Sequence, residues 1–167
     1  MLVGIGFDVH RLVSGRRLVL GGIEIPFAQR LDGHSDADVL LHAIADALLG
    51  ALGEGDLGHH FPPADARFKD IASTRLLETV AGMMVARGYR VVNLDATVIA
   101  QAPPLAPHVP AMRALIGGIL HTDASRINIK ATTHEGLDGL GRGEGIAAHA
   151  VVLVTDASRA GSGPNAK

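Results

Sequence analysis

The segment DADVLLHAIADALLGAL, residues 36–52, is apolar along nearly its whole length. From Ala37 to Leu52 only Asp38, His42 and Asp46 interrupt a run of Ala, Val, Leu, Ile and Gly. These three are spaced four apart, and helical neighbours at that spacing share a face. The segment therefore reads as a helix with one narrow polar stripe, started by a capping box of Ser35 and Asp38. Two carboxylates and an imidazole on so apolar a rod either form a solvated edge or need partners, because unpartnered burial is costly.

Outward from this helix the chain alternates strands and helices. Residues 2–10 read as a strand, and RRLVLGGIEIPF (16–27) as a hairpin turning at Gly21–Gly22. QRLDGHSDAD is a polar turn into the helix, and GEGDLGHHFPPAD (53–65) a Gly/Pro-rich loop with two adjacent histidines. Residues 70–87 form a second helix ended by Gly88. YRVVNLDATVIA (89–100) is a long strand; PPLAPHVPAM opens a third helix reaching about His121, with Pro110 in its first turn. RINIKAT (126–132) and GIAAHAVVLV (145–154) are the last strands. This order indicates an α/β sandwich, a mixed sheet with helices on one face. Residues 1–156 make one domain, and the small, polar tail 157–167 is expected to be disordered. The apolar last strand leaves the second sheet face needing cover, which points to oligomerisation.

The opening strand ends in GFDVHRL (6–12), with Asp8 and His10 two apart. Such side chains point the same way along a strand, roughly 6.6 Å apart along the backbone, so both can reach one ion. An isolated pair of this kind is ordinarily just a solvated strand end. His42 supplies a third ligand, and a carboxylate one helical turn away is expected to accept its other N–H, as ligating histidines usually require. Three protein ligands leave the fourth tetrahedral position open, the pattern of a reactive zinc site.

Composition narrows the possibilities. A chain of 167 residues, 47% hydrophobic, builds an ordinary core. Aromatics at 3% and a net charge of −2 argue against a nucleic-acid binder. The absence of cysteine excludes disulfides and thiolate zinc sites. With no signal-peptide pattern and no apolar run of membrane-spanning length, no membrane association and a cytoplasmic location are expected.

Two further segments suit anions. In DGHSDAD, His34 and Ser35 precede the positive end of the first helix, where an anion is favoured; a plain cap with an exposed histidine fits equally. KATTHEG (130–136) offers hydroxyls, turn amides and Glu135 as a ligand for a hard cation, although an ordinary turn reads the same way. GLGRGEG (139–145) precedes a strand, so it lacks the context of a phosphate-binding loop; Arg142 and Glu144 form an ion pair or an anion site. No nucleophile elbow or catalytic triad is evident.

Taken together, GFDVHRL, DGHSDADVLLHAIADALLGA, GDLGHHFP, AQAPPLAPHVPAMR and KATT-EGL-GRGEGIAAHAVVL resemble the 2-C-methyl-D-erythritol 2,4-cyclodiphosphate synthase family of the non-mevalonate isoprenoid precursor pathway. The resemblance runs in order from residue 3 to about 154. It implies a lyase acting on 4-diphosphocytidyl-2-C-methyl-D-erythritol 2-phosphate, whose 2-phosphate attacks the β-phosphorus and expels CMP. It further implies a homotrimer, sheets packed inward, with active sites shared between subunits.

The resemblance also carries roles residue by residue. Asp8, His10 and His42 bind Zn²⁺, and Glu135 binds a second divalent cation, Mg²⁺ or Mn²⁺. His34 and Thr133 stabilise the transition state; Ser35 meets substrate phosphate, Thr132 and Thr133 hold the diphosphate, and His134 is a further substrate-binding residue. Asp56, Leu57 and Gly58 bind the erythritol, flanked by Phe61, Pro62, Pro63, Ala64 and Asp65. Ala100, Gln101, Ala102, Pro103, Pro104, Leu105 and Ala106 line the cytosine pocket, largely through backbone. Gly139, Arg142 and Glu144 lie near the threefold axis, where some members bind isoprenoid diphosphates. Three positions depart from the family habit. Pro104 stands for a lysine, Pro63 for an aspartate and Gly139 for an aromatic residue. The alternatives are an isoprenoid- or nucleotide-binding trimer without turnover, and a zinc phosphohydrolase using water.

Overall fold

The structure is a computed structural model that describes residues 1–15 and 17–159. Its frame is a five-stranded mixed sheet in the order β4-β1-β7-β5-β6. These strands are β1 (Leu2–Ser14), β4 (Gln29–Leu31), β5 (Tyr89–Ile99), β6 (Ile127–Thr132) and β7 (Gly145–Asp156). Only β5 and β6 pair in parallel; β7 runs antiparallel between β1 and β5. A separate hairpin joins β2 (Leu18–Leu20) to β3 (Ile23–Ile25) across Gly21–Gly22, as expected.

Helix α1 (Val39–Leu52) lies across the sheet beside α3 (Ser73–Ala86), and α4 (Val109–Ile119) packs against α3 and β6. Eleven of its residues are buried, including Leu40, Leu41, Ile44, Leu48 and Leu49. Opposite them, β7 contributes Ile146, Ala148, Ala150, Val152 and Val154 to the same core. The helix can approach β1 because Gly4 and Gly6 face it. A Cβ on either would lie 1.9 Å from a carbonyl oxygen of Ala47 or Ala43.

The outer face of β1 differs. Val3 and Ile5 are 67% and 71% exposed, and Phe7, Val9 and the neighbouring Val151 are also exposed. The expected uncovered apolar face is therefore centred on the first strand rather than on the last one, whose alternate residues are buried under α1.

Several element boundaries differ from expectation. The polar turn before α1 contains β4, which pairs with the end of β1. The loop 53–65 contains a short helix, α2 (Leu57–His60), and α5 (Asp138–Gly141) follows β6. The expected capping box is absent: Asp38 alone caps α1, while the Ser35 hydroxyl accepts from Ala37 N at 3.1 Å. Ala157–Arg159 form a 3-10 turn anchored by Ala157 N on Gly88 O, and residues 160–167 of the expected tail lie outside the described residues. Among the described residues, no helix is long and apolar enough to cross a membrane.

Candidate active site

Strand alternation puts Asp8 and His10 on the helix side of β1, and the glycine contacts bring α1 close enough for His42 to meet them. The Asp8 Oδ2 atom lies 2.9 Å from both His10 Nε2 and His42 Nδ1. The two ring nitrogens are 3.2 Å apart. All three potential ligand atoms lie within 4.8 Å of one another, as the sequence spacing suggested.

Outer hydrogen bonds orient each ligand. Asp8 Oδ1 accepts from Val9 N at 2.8 Å, leaving Oδ2 for the centre. His10 Nδ1 donates to the Asp32 carbonyl at 2.8 Å, because a carbonyl can only accept. Its Nε2 lone pair is thereby turned toward Asp8. A carboxylate oxygen and two imidazole nitrogens converging in this way need a positive charge between them, either protons or a metal ion. The electrostatics agree. Burial pushes the Asp8 carboxyl upward, yet its hydrogen bonds to the two histidines outweigh this and hold it well below the usual carboxylate range. Burial likewise depresses His10, but the Asp8 carboxylate more than restores it. A two-His, one-carboxylate donor set of this kind fits Zn²⁺.

The rest of the polar stripe does other work. Asp38 is fully buried and accepts from Gly21 N at 2.9 Å, Gly22 N at 2.6 Å and Leu41 N at 3.1 Å, tying the hairpin to the helix start. Asp46 accepts from Leu57 N at 2.7 Å and so anchors α2. Neither carboxylate takes the outer N–H of His42. That nitrogen faces two hydroxyls instead, Ser73 Oγ at 2.8 Å and Ser35 Oγ at 3.2 Å.

The ligands open into a cleft of about 230 Å³ lined by His34, Ser35, Leu57, Gly58, Phe61 and Pro63, among others. Phe61 and Phe68 meet edge to face at 5.3 Å on its apolar wall. Asp56 caps α2 through His59 N, and Asp65 is engaged by Arg67, so the carboxylates of these two expected substrate contacts are already hydrogen-bonded. Pro62 and Ala64 are exposed in the same loop without lining the cleft. Phe68, Ile71 and Leu76 line it too, although their sequence pattern reads simply as helix and flank.

The remaining expected residues lie elsewhere in the chain. Thr132 ends β6 and Thr133 and Glu135 follow it, with Thr133 Oγ1 donating to Glu135 Oε1 at 2.9 Å. His134 Nδ1 is 3.0 Å from Asp138 Oδ2. Ala100 N donates to Thr132 O at 3.0 Å, placing the start of the Ala100–Ala106 segment beside them; Leu105 turns its side chain into the core. None of these residues lines the cleft beside His10 and His42. Both groups leave the same end of the sheet, but β1 and β6 are three strand positions apart, about 14 Å at normal spacing. Arg142 and Glu144 form an ion pair at 2.7 Å, and Gly139 adjoins them, beside β1.

Comparison with known proteins resolves the class. The YgbB family profile matches residues 1–155. The chain belongs to the YgbB family. A relative within it, the 2-C-methyl-D-erythritol 2,4-cyclodiphosphate synthase of Pelobacter propionicus, is 60% identical over 154 residues, 92% of this chain and 98% of that protein. Among solved structures, the bifunctional IspDF from Campylobacter jejuni superposes with a TM-score of 0.90 at 41% identity, covering 95% of this chain but only 43% of that longer one. The CDP complex of IspF from Plasmodium falciparum superposes at 0.82 with 31% identity, covering 93% of this chain and 96% of that one. The family resemblance read from the motifs, and the mixed α/β fold read from the order of the elements, therefore stand.

Proposed function

We propose that the cleft at Asp8, His10 and His42 is where this chain, a 2-C-methyl-D-erythritol 2,4-cyclodiphosphate synthase of isoprenoid precursor biosynthesis, performs its lyase reaction in the cytoplasm. The observation that carries this reading is the convergence of a carboxylate and two oriented imidazoles on one point inside a cleft. The substrate is 4-diphosphocytidyl-2-C-methyl-D-erythritol 2-phosphate. Its 2-phosphate oxygen forms a new bond to the β-phosphorus while the bond from that phosphorus to the α-phosphate oxygen breaks. CMP leaves with that oxygen, and no water or external nucleophile is consumed.

Because attacker and target belong to one molecule, the protein's task is to fold the substrate and balance its charge. Asp56, Leu57, Gly58 and the Phe61–Asp65 loop bind the erythritol, and His34 and Ser35 meet its phosphates at the start of α1. The Ser35 oxygen already accepts from Ala37 N, so its hydroxyl proton is left to donate. Zn²⁺ held by Asp8, His10 and His42, with Mg²⁺ or Mn²⁺ at Glu135, supplies Lewis-acid polarisation of the diphosphate when bound. Glu135, which lies in no cluster of three ligating side chains among the described residues, would hold the second cation as its single protein ligand.

The separation between the two halves of the machinery has a direct reading. Thr132, Thr133, His134, Glu135 and the cytosine-binding segment Ala100–Ala106 of one subunit complete the cleft of the next. A homotrimer packed through the apolar face of β1 satisfies both needs, and it places Gly139 and Arg142 toward a shared axis that accepts an isoprenoid diphosphate. The test is a ³¹P NMR time course with the cytidyl substrate, Zn²⁺ and Mg²⁺. Coupled cyclic-diphosphate resonances appearing with CMP are expected. CMP with an acyclic product would establish a hydrolase instead, and bound but unchanged substrate a binding protein.

A further inference from the structure

We infer that Ser73, held by Asp36, is the positioning residue that fixes His42 for the metal ion; the inference rests on the zinc reading above. Ser73 opens α3 and is 1% exposed. Asp36 precedes α1, and its Oδ2 accepts from Ser73 N at 3.0 Å. Its Oδ1 accepts the Ser73 hydroxyl as well as Asp38 N at 3.3 Å. A carboxylate offers no proton, so the single hydroxyl hydrogen of Ser73 points at Asp36. What Ser73 then presents to His42 Nε2, 2.8 Å away, is a lone pair.

The consequence is a defined tautomer. His42 carries its proton on Nε2 and turns the Nδ1 lone pair toward Asp8 Oδ2 and His10 Nε2. The Asp32 carbonyl does the same for His10 from the other side. One ligand is thus oriented by backbone and the other by a side-chain relay that spans α1 and α3. Ser35 Oγ also faces His42 Nε2, but at 3.2 Å and while accepting from Ala37 N. It is the weaker acceptor, and its hydroxyl proton stays directed elsewhere. Nothing in the sequence links position 73 to position 42; the serine there reads only as part of a helix start.

Outer partners of ligating histidines typically carry about 10- to 100-fold in metal affinity. The experiment is zinc titration of the full chain against a chromophoric chelator, for the unaltered protein, Ser73→Ala and Ser35→Ala. Ser73→Ala is expected to weaken zinc binding by about 10- to 100-fold, with Ser35→Ala close to the unaltered protein. Equal zinc affinity in Ser73→Ala and the unaltered chain overturns the inference. An unaltered chain that binds no zinc overturns the metal reading itself. If Ser73→Ala does not fold, NMR of the unaltered, zinc-loaded protein decides. A slowly exchanging His42 Nε2 proton with a cross-peak to the Ser73 β-protons supports the relay, and a rapidly exchanging one without it excludes the relay.

Discussion

Gly6 and Ala43 meet backbone to backbone: a Cβ on Gly6 would sit 1.9 Å from the Ala43 carbonyl oxygen. This contact sets the distance between the strand carrying Asp8 and His10 and the helix carrying His42. Gly6→Ala must push the two apart. It should destabilise the fold by about 1–3 kcal/mol or more, the usual range for overpacking, and weaken zinc binding in parallel. Urea unfolding and chelator competition measure the two effects. Gly82→Ala is the control, since its added methyl meets nothing within 4 Å; it should stabilise by up to about 1 kcal/mol through helix propensity.

Removing a metal ligand should separate chemistry from folding. His42→Ala deletes one of the three donors at the start of the cleft. Turnover should fall roughly a thousandfold, because metal polarisation of a phosphoryl group supplies several kcal/mol. Circular dichroism and sedimentation should remain unchanged. Chelation of the unaltered protein should reproduce the loss, and zinc should reverse it. Turnover near the normal rate in His42→Ala would end the metal assignment.

The exposed stripe of β1 should hold the subunits together. Ile5 is 71% exposed and flanked by Val3, Phe7 and Val151. Ile5→Asp places a charge in the middle of that stripe, at a cost set by the lost apolar burial and the charge's desolvation. The expected outcome is a monomer by sedimentation that still binds zinc but no longer turns over. A monomer with full activity would contradict the shared site.

Asp46 offers a pH test. Burial holds its carboxyl above the usual value, against the opposing hydrogen bond from Leu57 N. The folded state therefore binds this proton more tightly than the unfolded chain, and ionisation costs stability as pH rises from about 4, the unfolded value, through the raised folded one. Asp46→Asn removes that cost while keeping an oxygen for Leu57. In the zinc-free protein its melting temperature should gain on the unaltered chain at neutral pH. The gain should vanish as the pH is lowered through this window. A constant difference across the range would show that Asp46 does not titrate as its burial requires.

Much of this architecture was legible in local patterns. The period of four along residues 38–46 marks the polar stripe of α1, the period of two in GFDVHRL puts Asp8 and His10 on one side, and the glycine pair at 21–22 marks the hairpin turn. These are properties of neighbouring residues, so periodicity and turn chemistry suffice to read them. The sequence by itself thus determined the fold class, the three residues of the candidate metal site and the family. Tertiary structure decided what those residues touch. Asp38 serves the hairpin and Asp46 serves α2, whereas the expected carboxylate partner of His42 is replaced by a serine 31 residues away. It also decided that Thr132–Glu135 stand across the sheet from the cleft, and that Gly4 and Gly6, unremarked in the sequence, let strand and helix touch. Hydrogen-bond direction and backbone approach depend on residues far apart in the chain, which only packing brings together.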